Sequence, residues 1–128
     1  MLGLVGWSVI LLDEVDEWFM SMVHGNPRTA ELVTAAINQL EMRGPTLGRP
    51  LVDTIQDSKI HNMKELRPGS TGRTEVRILF VFDPQRRAIL LVAGDKSGQW
   101  RGWYEQNIPL AEERYRRWCD GEYSTERN

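Results

Sequence analysis

Residues 60–93 read IHNMKELRPGSTGRTEVRILFVFDPQRRAILLVA. Within them lie three runs of strand-forming residues, Ile60–Arg67, Glu75–Asp83 and Ala88–Ala93, separated by the turn-forming stretches PGSTG (68–72) and DPQRR (83–87). Connections this short join antiparallel neighbours, so the three runs predict a meander. ILFVF and AILLV are almost continuously apolar, the pattern of strands covered by other elements at the centre of a sheet.

Working outward, residues 46–59 carry Gly48 and Pro50 among scattered polar residues and read as a connection with a short strand near Leu51–Ile55. Before it stand two helical patterns. In the first, Val15, Trp18, Phe19, Met22 and Val23 recur at helical spacing behind Asp13, the expected N-cap. Gly25 interrupts it, and Asn26-Pro27 starts a second helix with Ala30, Val33, Ile37 and Leu40 on one stripe, ended by Gly44-Pro45. Two helices joined this tightly form an antiparallel hairpin. WSVILL (7–12) is too short for a helix and reads as a first strand. Ser97–Cys119 is polar and helical in parts, with Pro109 expected to divide it. The order strand, helix, helix, three strands, helix predicts an α+β fold with a helical hairpin packed on a small twisted, mainly antiparallel sheet, in one domain over residues 1–128.

Composition narrows the function. In 128 residues, 41% are hydrophobic and 27% charged, a balance suited to a packed core without staples. The single cysteine, Cys119, excludes an internal disulfide framework and a multi-cysteine zinc site, and it lacks a histidine context for catalysis. His24 and His61 stand far apart in the chain, so no metal site is expected and no cofactor is called for. The opening MLGLVGWSVILL has no basic start and is shorter than a membrane span, which fits a cytoplasmic protein with no membrane partner.

The formal net charge of −2 argues against a nucleic-acid partner until it is divided along the chain. Residues 1–58 carry −5, residues 59–101 carry +5 and residues 102–128 carry −2. The middle block therefore predicts a polyanion-facing surface on an otherwise acidic protein.

The cations on or beside the expected sheet are His61, Lys64, Arg67, Arg73, Arg77 and Lys96. Arg77 interrupts an apolar run and needs a partner: Glu65 or Glu75 in an ion pair, or a phosphate in a groove. His61 and Lys64, three apart, point to opposite faces of a regular strand and share a site only if His61 precedes it. Trp100, Trp103 and Tyr104 follow with Arg101 between them. Such aromatics stack on single-stranded bases or dock a helix on the sheet; the second reading is favoured for the two tryptophans, and Tyr104 fits either.

WFM in the first helix, GPTLGRPLVDTI, KELRPGSTGRTEVRILFVFDP and LLVAGDKSGQWRGWYEQNIP together resemble the RelE/HigB-type toxins of bacterial toxin–antitoxin systems, in their phage-derived HigB-like branch. The resemblance covers about residues 7–115. It implies a messenger-RNA endoribonuclease acting at the ribosome without metal, an antitoxin partner of helix-turn-helix type, and contact with operator DNA only through that antitoxin. It implies active-site roles for Arg77, Lys96 and His61 with Lys64, and an RNA contact for Arg67 in the basic strand. The basic block adds Arg73 and Arg101 as RNA contacts, and Tyr104, farther from the glycine than the family's catalytic tyrosine, is a candidate to stack or to transfer a proton. In such a reaction the RNA 2′-hydroxyl attacks the adjacent phosphate, with Lys64 or His61 as base or acid and the arginines neutralising the phosphorane. Two alternatives share the fold: a toxin that poisons gyrase by binding, and an inactive corepressor acting with its antitoxin.

Overall fold

The computed structural model describes residues 6–123. Five strands form one sheet: β1 (Ser8–Leu11), β2 (Val52–Thr54), β3 (Lys64–Leu66), β4 (Val76–Asp83) and β5 (Arg87–Asp95). Their spatial order is β1-β5-β4-β3-β2, with β1 parallel to β5 and every other pair antiparallel. Helices α1 (Asp13–Gly25) and α2 (Pro27–Arg43) cover one face, and α3 (Trp100–Cys119) covers the other. The fold is α+β, with the hairpin and meander expected from the sequence.

Each sheet face has its own core. On the hairpin side, Val15, Val33, Ala36 and Leu40 pack on Leu66, Ile78, Phe80, Ala88 and Leu90. On the α3 side, Trp103, Ile108, Ala111 and Trp118 pack on Leu12, Met63, Leu79, Val81, Ile89 and Leu91. Burial on both faces explains why β4 and β5 are apolar without alternation.

A bulge sets what faces α3. Leu79 pairs with Val92 but Phe80 pairs with Leu90, so Leu91 is the extra residue, and Leu91 and Val92 both enter the α3-side core. Beyond the bulge, Gly94 lies opposite Arg77. A Cβ on Gly94 would stand 2.9 Å from Nε1 of Trp103, so the bare backbone lets α3 approach the sheet here.

Four expectations about the elements are corrected. Leu12, not Asp13, is the N-cap of α1, with no side-chain cap bond. Leu12 is fully buried under the sheet, and that burial places the boundary; Asp13 is the first helical residue, still favourably set at the positive end of the helix. Val23 closes the predicted stripe of α1 yet is exposed. The run Ile60–Arg67 is strand only at Lys64–Leu66. Residues 55–63 form a loop because Met63 turns into the α3-side core and Glu112 of α3 takes the loop's donors, Ser58 Oγ at 2.8 Å and Lys59 N at 2.6 Å. Finally, Pro109 lies inside α3 without dividing it. It and Glu105, whose carbonyl loses its partner, are both exposed, so water can take the freed carbonyl. Asn26, in contrast, caps α2 as expected, accepting from Thr29 N at 3.3 Å.

Candidate functional site

Strand parity decides which cations meet. On β4, Arg77 shares the α3-side face with Leu79 and Val81, and on β3 Glu65 pairs with Leu79, so Glu65 and Arg77 are diagonal neighbours on one face. Lys64 pairs with Phe80 and faces the hairpin side, where its Nζ donates to Thr54 Oγ1 at 3.3 Å. His61 is exposed on the loop before β3. Arg73 is exposed in a connection that Thr71 ties toward α2 through the Thr29 hydroxyl, 3.2 Å away. Arg77, Lys96, Tyr104 and Arg67 are thus brought close together, whereas Lys64 points to the hairpin side, His61 is exposed on the loop before β3 and Arg73 lies exposed in the connection before β4.

Lys96 follows β5 in a turn built by Asp95, whose Oδ1 accepts from Glu75 N at 3.0 Å and Ser97 N at 2.9 Å. Burial works against the Asp95 charge, but these two amides hold its carboxyl below the usual range. Lys96 itself is only 2% exposed. Its Nζ lies 3.4 Å from the ring centroid of Trp100 and 5.2 Å from that of Tyr104. Burial, reinforced by the neighbouring Arg77 guanidinium, holds the ammonium below its ordinary value, while Glu65 and Glu75 pull the other way.

Arg77 is buried without an ion pair among the described residues. Nη1 donates to the Val76 carbonyl at 2.8 Å, and Nε is buried with no hydrogen-bond partner. The expected pairing with Glu65 or Glu75 is therefore absent. Glu65, also buried, instead accepts the Tyr104 hydroxyl on Oε2, and its Oε1 stands 4.0 Å from Nε of Arg67. Arg67 also approaches Asp53 at 3.7 Å. Burial and the hydrogen bond to Glu65 push the Tyr104 phenol well above its ordinary value, with Arg77 acting in the opposite sense.

The two tryptophans part company. Trp103 is buried and meets Tyr104 edge-on at 5.2 Å, as a docking helix requires. Trp100 is 60% exposed, which corrects the expectation that it joins the core. One turn of helix separates Trp100, Tyr104 and Ile108, and these three form a stripe along a cleft of about 1010 Å³. Glu65 lies at its floor, Arg101 and Glu105 line the α3 wall, and Thr54, Ile55 and Asp57 line the opposite wall.

The basic block does not occupy one face. Arg86 and Arg87 sit at the β4–β5 turn, seven residue steps along β4 from the Val76–Asp95 end, a distance of roughly 23 Å. There Arg87 pairs with Asp83 at 2.6 Å and Arg86 lies over Trp7 at 4.8 Å. Glu65 and Trp100 are the site residues that sequence reasoning missed. The alternation of KEL beside VRIL carried the signal for Glu65, but only once the register was known. Among the described residues no group of His, Cys, Asp and Glu is arranged to hold a metal, and no helix is long and apolar enough to cross a membrane.

Residues 19–116 match the family model described as "Phage derived protein Gp49-like (DUF891)". The chain is 53% identical over 116 residues to a Mycobacterium tuberculosis protein named "Putative toxin HigB3", covering 91% of this chain and 96% of that one. It is 51% identical over 111 residues to "Putative toxin HigB2" of the same organism, covering 87% of this chain and 53% of the relative, about half of that protein's length. No solved structure matches the chain significantly.

Proposed function

The chain belongs to the phage-derived Gp49-like family, and on that premise we propose that it is the toxin of a toxin–antitoxin system that cleaves messenger RNA at the ribosome by metal-independent transesterification. Its relatives carry the name of toxins, and a toxin of this kind implies an antitoxin partner. One observation carries the catalytic reading. Two cations, Arg77 and Lys96, are buried at the same end of the sheet with one buried carboxylate, Glu65, and Arg77 keeps an unpartnered Nε. A buried, unsatisfied cationic donor costs about 1–3 kcal/mol or more, and a phosphate oxygen is the ligand that offsets it with bidentate geometry.

The proposed chemistry assigns each group one step. Glu65, held by Tyr104, takes the proton of the 2′-hydroxyl as its oxygen bonds to phosphorus. Arg77, with Arg67 beside Glu65, neutralises the phosphorane. Lys96, an ammonium made more acidic by burial and by Arg77, gives its proton to the departing 5′-oxygen. The products are a 2′,3′-cyclic phosphate and a 5′-hydroxyl. Lys64, facing the other side of the sheet, and exposed His61 take no part in these steps.

The purified protein added to a translation extract should produce new 5′-hydroxyl ends inside messages. Arg77→Ala should lower the cleavage rate by about 100-fold or more, with Arg77→Lys as a second variant that keeps the buried charge. Messages left intact by folded wild-type protein overturn the reading.

A further inference from the structure

Lys96 cannot reach a phosphate while it remains 2% exposed. Of the two rings that cover its ammonium, Tyr104 is fixed by its bond to Glu65, whereas Trp100 is 60% exposed. Trp100 opens α3 two residues after Gly98, which has φ 77, and the N-cap Gln99 makes no side-chain cap bond. The ring therefore lines the cleft beside an uncapped helix start, with its outer side in solvent. A bulky aromatic held in water over a buried cation gains little from core burial.

We propose that Trp100 is a base-stacking residue: an unpaired nucleobase of single-stranded RNA stacks on its indole, and the ring's displacement from Lys96 admits the adjacent phosphate to the ammonium. This rests on the RNA-cleavage reading and adds to it the group that orients the strand. Free RNA and free protein each hold one half of the interaction, the base unstacked and the ammonium covered; binding exchanges the cation–π contact for a phosphate contact and a stacked base. The phosphate goes to the Lys96 and Arg77 side, while the cleft lining carries Asp57 and Glu105, whose carboxylates accept hydrogen bonds from the amino or imino edge of a base, together with Lys59 and Arg101, which meet the flanking backbone.

The test uses the full chain and a fluorescent single-stranded ribo-oligonucleotide with 2′-O-methyl groups, which binds but cannot be cut. Trp100→Ala should weaken binding about ten-fold or more, and Trp100→Phe, which keeps a ring, should stay within about three-fold of wild type. An amine-acylating reagent read by mass spectrometry supplies a second measurement. Lys96 should be protected in wild type and Trp100→Phe, and labelled in a Trp100→Ala protein whose melting transition remains cooperative. Equal oligonucleotide affinity of wild type and Trp100→Ala overturns the stacking role and leaves the cleavage reading intact. A wild-type protein that neither binds the oligonucleotide nor cuts messages overturns both. Lys96 still protected in folded Trp100→Ala shows that the indole is not its cover, and overturns the exchange.

Discussion

Glu65 shows how much a single side chain can organise. It is buried beside Arg77, Arg67 and Lys96 and holds the Tyr104 hydroxyl. Glu65→Gln removes the only buried negative charge at this end of the sheet among the described residues, and should destabilise the protein by about 1–3 kcal/mol in a urea titration. Because the carboxylate helps to raise the Tyr104 phenol, the same variant should lower its titration point in a 295 nm absorbance titration, identified by its loss in Tyr104→Phe. Lys96 has the opposite sign. Its ammonium is held below the ordinary value of 10.5, so the unfolded chain binds the proton more tightly and stability rises with pH between the folded and unfolded values. The cost is present in full below the folded value and gone above 10.5. Lys96→Met should therefore abolish cleavage while raising stability at neutral pH. The gain should shrink as pH approaches 10.5 in melts across the alkaline range. These two residues also mark the limits of reading by residue type. Lys64 and Lys96 are both lysines near the sheet, and nothing in their chemistry separates them; strand parity sends Lys64 to the hairpin side and the turn after β5 brings Lys96 to Arg77.

At the scale of elements, local signals worked where they were local. Asn26-Pro27 starts α2 as such a pair should, and Asn26→Ala should cost about 1 kcal/mol, read as a fall of a few degrees in melting temperature. Gly44 ends α2 at φ 52 with the Trp7 indole where a Cβ would go, so the expected stop is both conformational and steric. The errors arose where tertiary contacts overrode local preference: Leu12 buried under the sheet moved the start of α1, and the pull of Met63 and Glu112 shortened β3. Pro109 is tolerated because its side of α3 faces water. The seating of α3 on the sheet rests on Gly94. Gly94→Ala should press on Trp103, cost about 1–3 kcal/mol and displace Tyr104, and cleavage should fall more than stability alone explains when assayed well below the melting temperature.

For the whole molecule, the charge pattern means something narrower than it did along the chain. The +5 block of residues 59–101 is split between the two ends of the sheet, with Arg86 and Arg87 engaged at the far end. Of the other cations, Arg67, Arg77 and Lys96 stand together, Arg73 lies apart from them in the connection before β4, and the cleft lining mixes Lys59 and Arg101 with acidic residues. If Arg67, Arg77 and Lys96 make the phosphate contacts, the slope of log affinity against log salt for a single-stranded oligonucleotide should be about −2. A much steeper slope would place the dispersed arginines, Arg73 among them, on the RNA path.

What the sequence determined by itself was whatever depends on near neighbours in the chain. The order of strands and helices, the hairpin, the meander, the absence of a cysteine framework and the kinship with a toxin family are all written in short motifs. Only the tertiary structure decided which charged groups meet. That choice turns on the β3–β4 register, the bulge at Leu91 and the depth to which α3 settles at Gly94. A shift of one residue in the register or the bulge sends a side chain to the opposite face of the sheet, and no residue type records such a shift.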